Sequence, residues 1–242
     1  MTTDDLISTA CPIIRDTGWA FYFAPATIAR GAELGLDPLQ TYILGRGGVL
    51  GDVEAGVVSA AFGYFNPAFL GATWDAARAN CAPRVAGRTF MECCAAHGRE
   101  KLADVPGLEA LVAAAGKVND AADPDGLALY AGVRAEPLVD DAPGRAMQLV
   151  TVLREFRGSA HLVALRAVGL ASKTAHFAKR PGDVRMFGWS EADAPEITDE
   201  THRLLADAEA ITDLIVRPAY SVLDDTEAAA LVAGLQGIQA AL

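Results

Sequence analysis

Apolar residues recur at three- and four-residue intervals along most of this chain, and that spacing commits it to helices. Residues 85–102 (VAGRTFMECCAAHGREKL) carry the pattern and close on basic residues, which suit the negative end of a helix dipole. Residues 108–118, 146–156 (AMQLVTVLREF) and 160–168 follow the same period. A helix over 198–215 opens on Thr198-Asp199-Glu200-Thr201, where Thr198 can cap and the acids sit at the positive end. The last helix, 224–242, takes Asp224 or Asp225 as its cap. Strand signals are few. Residues 127–133 (LALYAGV) read as a strand or a short helical turn, and 184–189 (VRMFGW), after Pro181-Gly182-Asp183, is the better strand candidate.

Loop-like breaks at 120–125 and 136–144 place a boundary that divides the chain into residues 1–140 and 141–242. A faint repeat relates the two parts. Arg46-Gly47-Gly48 is echoed by Arg157-Gly158-Ser159 at an offset of 111, and Phe65 by Phe177 at 112. Trp74 pairs with Trp189 a few residues out of register. In the second part a helix ends at Val168, Gly169 permits a tight turn, and another helix begins near Ser172, the rhythm of a helix-turn-helix. With 184–189 as a wing strand, the expected fold is mainly α with small β wings, two winged-helix-like units forming a degenerate internal repeat. The first unit carries extra N-terminal helices.

Four segments carry a family resemblance: "FYFAPATIARGAELGLDPLQTYILGRGGVLG" (21–51), "FGYFNPAFLGATWD" (62–75), "GSAHLVALRAVGL" (158–170) and "FGW" (187–189). Together they resemble an actinobacterial helix-turn-helix-like, tandem winged-helix family of mostly unassigned function. The departure is Gly47-Gly48, where the family pattern has two alanines after Arg46. The helix opening "ITDETHRLLADAEAITDLI" and the final "LDDTEAAALVAGLQGI" resemble, more distantly, the end of MarR-type winged-helix regulators. The resemblance implies a fold and leaves the chemistry open.

Composition narrows the function classes. A net charge of −11 repels phosphate backbones at long range, so any contact with nucleic acid has to come from a local basic patch. The longest apolar stretch, about 56–65, falls well short of the roughly 18 residues a membrane span needs. The acidic start, Met1-Thr2-Thr3-Asp4-Asp5, lacks the positive charge of a secretory signal, so a cytoplasmic location is expected by elimination. Cys11, Cys81, Cys93 and Cys94 read as buried free thiols without zinc spacing, and no metal or cofactor is expected.

Three constellations could carry function. Lys173, His176, Lys179, Arg180 and Arg185 form the basic patch, placed to meet duplex DNA if the helix from Ser172 is a recognition helix; a homodimer would present it twice. The equivalent helix of the first unit has no basic residue and is better suited to packing or to holding a ligand. Arg46, Tyr64, Phe65, Asn66, Trp74, Arg157, His161 and Trp189 would line an aromatic pocket between the units for a small aromatic or acidic metabolite. Aromatics at 62, 65 and 69 also keep helical spacing and would serve equally well as core. His161, read as following a Gly158-Ser159 turn at a helix start, would suit a neutral general base in an enzyme re-using the scaffold, with Ser159, Arg46 or Glu155 as helpers. The best reading is a ligand-responsive regulator or sequestering protein, with that enzyme as the alternative.

Overall fold

The computed structural model describes residues 1–242 as twelve α-helices and three short 3₁₀ turns. The first six helices are α1 (Thr3–Thr17), α2 (Pro25–Glu33), α3 (Pro38–Gly47), α4 (Ala55–Phe62), α5 (Pro67–Arg78) and α6 (Pro83–Lys101). They are followed by α7 (Leu108–Ala121), α8 (Ala128–Arg134), α9 (Ala142–Ala167), α10 (Ser172–Lys179), α11 (Asp199–Tyr220) and α12 (Asp225–Ala241). The starts are written in the sequence. Thr2, Asp37, Asn66, Asp141, Thr198 and Asp224 each turn a side-chain oxygen onto an amide of the first turn, a contact whose loss costs about 1 kcal/mol. Thr198 and Asp224 are caps that the sequence points to directly.

Helix α9 organises the molecule. At 26 residues it is about 39 Å long. Every residue from Ala146 to Phe156 except Arg154 is buried, as expected of a helix surrounded on all sides. Helices α1, α6, α7, α8 and α11 supply that surround. The main core is one cluster of 49 buried residues running from Leu6 to Ile238. A separate cluster of six, Ala164, Leu165, Leu170, Ala175, Leu205 and Ala208, lies where α10 meets the end of α9 and the start of α11. At that end α9 passes through a turn at Gly169, φ 76°, into α10, the two helices and turn on which the sequence places its helix-turn-helix rhythm.

The expected β wings are absent, and with them the pair of winged-helix-like units: the chain is all-helical. Residues 127–133 fall mostly in α8, which packs on α9. The 184–189 segment is a 3₁₀ turn, Val184–Phe187, ending at Gly188 with φ 76°. It has no strand beside it to pair with. Its Phe187 and Gly188 carbonyls instead accept from Asn66, from the backbone N–H at 2.9 Å and from Nδ2 at 3.1 Å. Gly188 is required twice over, because a Cβ there would lie 2.4 Å from the Phe69 ring. The expected break at Arg157-Gly158-Ser159 is also absent. Residues 146–156 and 160–168 belong to the single helix α9, so the echo of Arg46-Gly47-Gly48 pairs a helix end with a helix interior. No helix is long and apolar enough to cross a membrane.

Candidate functional site

The face of α9 carrying Arg154, Gly158 and His161 opens into a cleft of about 480 Å³. Arg46 enters from the last turn of α3, Phe62 from the end of α4, and Tyr64 and Phe65 from the loop that follows. His176, Lys179, Arg180 and Phe187 contribute from α10 and the segment behind it.

A buried acid anchors one end. Glu155, 1% exposed, receives Arg46 in a two-pronged contact at 2.9 and 2.7 Å, Arg154 Nη1 at 2.9 Å and the Tyr22 hydroxyl at 2.8 Å. Burial alone would raise the Glu155 carboxyl, but the two guanidinium groups outweigh it and hold it at about 2. Arg46 also lies over the Phe62 ring at 4.3 Å. The local balance is two cations to one anion, and Arg154 Nε is buried with no hydrogen-bond partner. Such an excess of half-buried positive charge is costly unless something anionic approaches it.

The other end is a balanced network. Arg157 donates to Glu209 at 2.9 Å and to Asp213 at 2.8 Å, while Lys179 pairs with Glu209. Burial would raise the Glu209 carboxyl, but the Lys179 ammonium and the Arg157 guanidinium outweigh it and hold the group well below the usual carboxylate range. His161 Nδ1 is 2.9 Å from the Thr212 hydroxyl, which itself donates to the Ala208 carbonyl at 2.6 Å. The hydroxyl proton is thereby committed, so His161 Nδ1 carries the hydrogen and Nε2 keeps its lone pair. Burial lowers the His161 pKa and favours this neutral form. The helix-start reading of His161 is corrected: it sits inside α9, and desolvation supplies what a helix terminus was expected to supply. Counted around the cleft, six cations (Arg15, Arg46, Arg154, Arg157, Lys179, Arg180) face three carboxylates (Asp16, Glu155, Glu209), a positive site in an acidic protein.

Five of the eight expected pocket residues line this cleft: Arg46, Tyr64, Phe65, Arg157 and His161. Three do not. Asn66 caps α5, accepting from the Ala68 amide at 3.0 Å, and clamps the Gly188 carbonyl. Trp74 is fully buried and donates to the Val53 carbonyl at 3.1 Å. Trp189 stands behind the wall, donating to the Tyr64 carbonyl at 2.6 Å, and Lys173 lies over its ring at 4.6 Å. That bond helps hold Tyr64 at φ 58°, a conformation non-glycine residues rarely adopt, and no other non-glycine residue in the chain adopts it.

The basic patch is largely engaged within the protein. His176 is 5% exposed, packed on Phe187 at 4.2 Å, with Nε2 2.8 Å from Asp183 Oδ1 but poorly aligned for a hydrogen bond. Lys179 is held by Glu209, and Arg185 by Glu191 at 2.7 Å on the surface. Arg180 stands exposed at the rim. Arg154, Glu209 and Thr212 carry no motif in the sequence, and Gly158 reads there as a turn rather than as part of a binding surface. The available signal was a charged pair, Arg154-Glu155, inside the apolar run AMQLVTVLREF.

A helix-turn-helix family model matches residues 12–192, three quarters of the chain, and the protein belongs to that family. The matched span contains α9, the Gly169 turn and α10, and the whole cleft wall except Cys11 and Glu209. No curated protein and no solved structure matches the chain.

Proposed function

We propose that the protein binds a small acidic molecule in the α9 cleft and that occupancy alters what its helix-turn-helix presents to duplex DNA. The observation that carries this reading is the shared wall: Lys179 and Arg180, at the end of α10, line the same cationic cleft as Arg46, Arg157 and His161. An anion in the cleft competes with Glu209 for Lys179 and Arg157. Family membership supports the DNA side, while the net charge of −11 restricts contact to the α10 edge and demands low salt.

The test has two arms. A panel of aromatic and aliphatic acids, amines and neutral analogues is scored by shift in melting temperature; acids alone should raise it. Fluorescence anisotropy with a pool of random-sequence duplexes at low salt should show binding that weakens with salt, changes with a stabilising acid and is lost in the Lys179→Ala, Arg180→Ala double variant. Absence of duplex binding removes the regulator and leaves a sequestering protein; absence of any stabilising compound removes the ligand.

The lone pair on His161 Nε2 favours a second reading, an enzyme with His161 as general base. Turnover of a stabilising compound that disappears in His161→Ala, with binding retained, would establish it.

A further inference from the structure

Gly158 is an anomaly in α9. A helix-interior glycine is unfavourable, and a tight contact or a positive φ is the usual reason to keep one. Gly158 has neither: it is helical, and a Cβ built on it would meet nothing within 4 Å. What it does is lie bare on the floor of the cleft. Arg154 lies four residues before it and His161 three after, so the three share one face of α9, and the outer two are separated by about 10.5 Å of helix rise.

Resting on the ligand-binding reading above, we propose that the cleft takes a flat aromatic acid lying lengthwise along α9 across Gly158. Its carboxylate meets the Arg154–Arg46 pair, and a hydroxyl or N–H at its far end donates to His161 Nε2. Each part of that molecule answers a feature of the site. The carboxylate supplies the second negative charge that Arg46 and Arg154, sharing Glu155, lack. The donor is dictated by the His161 tautomer, which leaves the ring an acceptor on its unbonded side. The flat body follows from the missing side chain below and the rings of Phe62 and Tyr64 around it. A cleft of about 480 Å³ is of the size that holds such a molecule.

The experiment uses 4-hydroxycinnamate, an extended planar acid with a phenol at the opposite end, against its methyl ester and its 4-methoxy ether, by titration calorimetry on the full chain. The acid should bind, and the ester and the ether should each bind about tenfold more weakly, the ester losing a charge-assisted contact and the ether a neutral hydrogen bond. Arg154→Gln should erase the preference for acid over ester, and His161→Phe the preference for phenol over ether. Gly158→Leu should abolish binding while leaving the circular dichroism spectrum and melting temperature of a folded protein. Ester and ether binding as tightly as the acid, or undiminished binding in Gly158→Leu, overturns the inference and leaves the broader ligand reading intact. Failure of all three compounds, beside a stabilising compound of another class from the wider panel, overturns the inference alone. Failure of both sets overturns both.

Discussion

Glu155 shows how one residue can tie a helical protein together. Its carboxylate is 1% exposed, and its partners come from α3, from α9 itself and from Tyr22 in the turn after α1. Its pKa falls from 4.5 unfolded to about 2 folded, so its stabilisation is complete above pH 4.5 and is lost as pH drops toward 2. The expected size is on the order of 3 kcal/mol, to be read from urea denaturation at a series of acidic pH values. Glu155→Gln should remove about 3 kcal/mol near neutral pH, because the half-buried guanidinium groups of Arg46 and Arg154 then lack their counter-charge. Little of this was legible in the sequence: Arg46 was singled out, but the Arg46 contact spans 109 residues and the Tyr22 contact 133, and periodicity reports only neighbours. Trp189 and Trp74 illustrate the same limit. Both were expected in the pocket, yet one braces its wall from behind and the other fills the core. Ligand-induced change in tryptophan fluorescence should therefore persist in Trp74→Phe and disappear in Trp189→Phe.

Among the elements, α9 departs most from what its sequence suggests. Gly158-Ser159 reads as a break, yet the helix runs through it, because packing by five neighbouring helices outweighs the weak propensity of one glycine. Gly158→Ala should accordingly stabilise the protein by about 0.5–1 kcal/mol in urea denaturation, since the new methyl enters open space. A gain of stability beside a loss of ligand affinity would identify a position kept for binding at the expense of folding. The 184–189 segment misled in the opposite sense. Its short apolar run fits a strand or a buried turn equally well, and the choice was made by distant residues, Asn66 and Phe65, which anchor it. Capped helices are the most legible elements: Thr198 and Asp224 mark the starts of α11 and α12, and α12 ends where expected, while α11 continues to Tyr220, past the expected 215.

For the whole molecule, the division of the core into 49 residues and six sets a hierarchy of stability. Helix α10 and the first turns of α11 rest on the smaller cluster, so their amides should exchange hydrogen faster than those of α9 between Ala146 and Phe156. A ligand in the cleft should slow exchange in α10 most, because that helix forms part of the cleft wall and has little other support. Native-state exchange read by mass spectrometry, with and without a stabilising compound, measures both.

The clamp between the 63–66 loop and the 187–189 segment also has a kinetic meaning. All-helical proteins tend to fold fast because their contacts are local. Here the Trp189–Tyr64 bond closes a loop of 125 residues and the Asn66–Gly188 bond one of 122, so the cleft wall forms only after the chain has brought its two halves together. The helices can assemble early, but the binding site, joined from remote parts of the chain, is among the last features of the fold to appear.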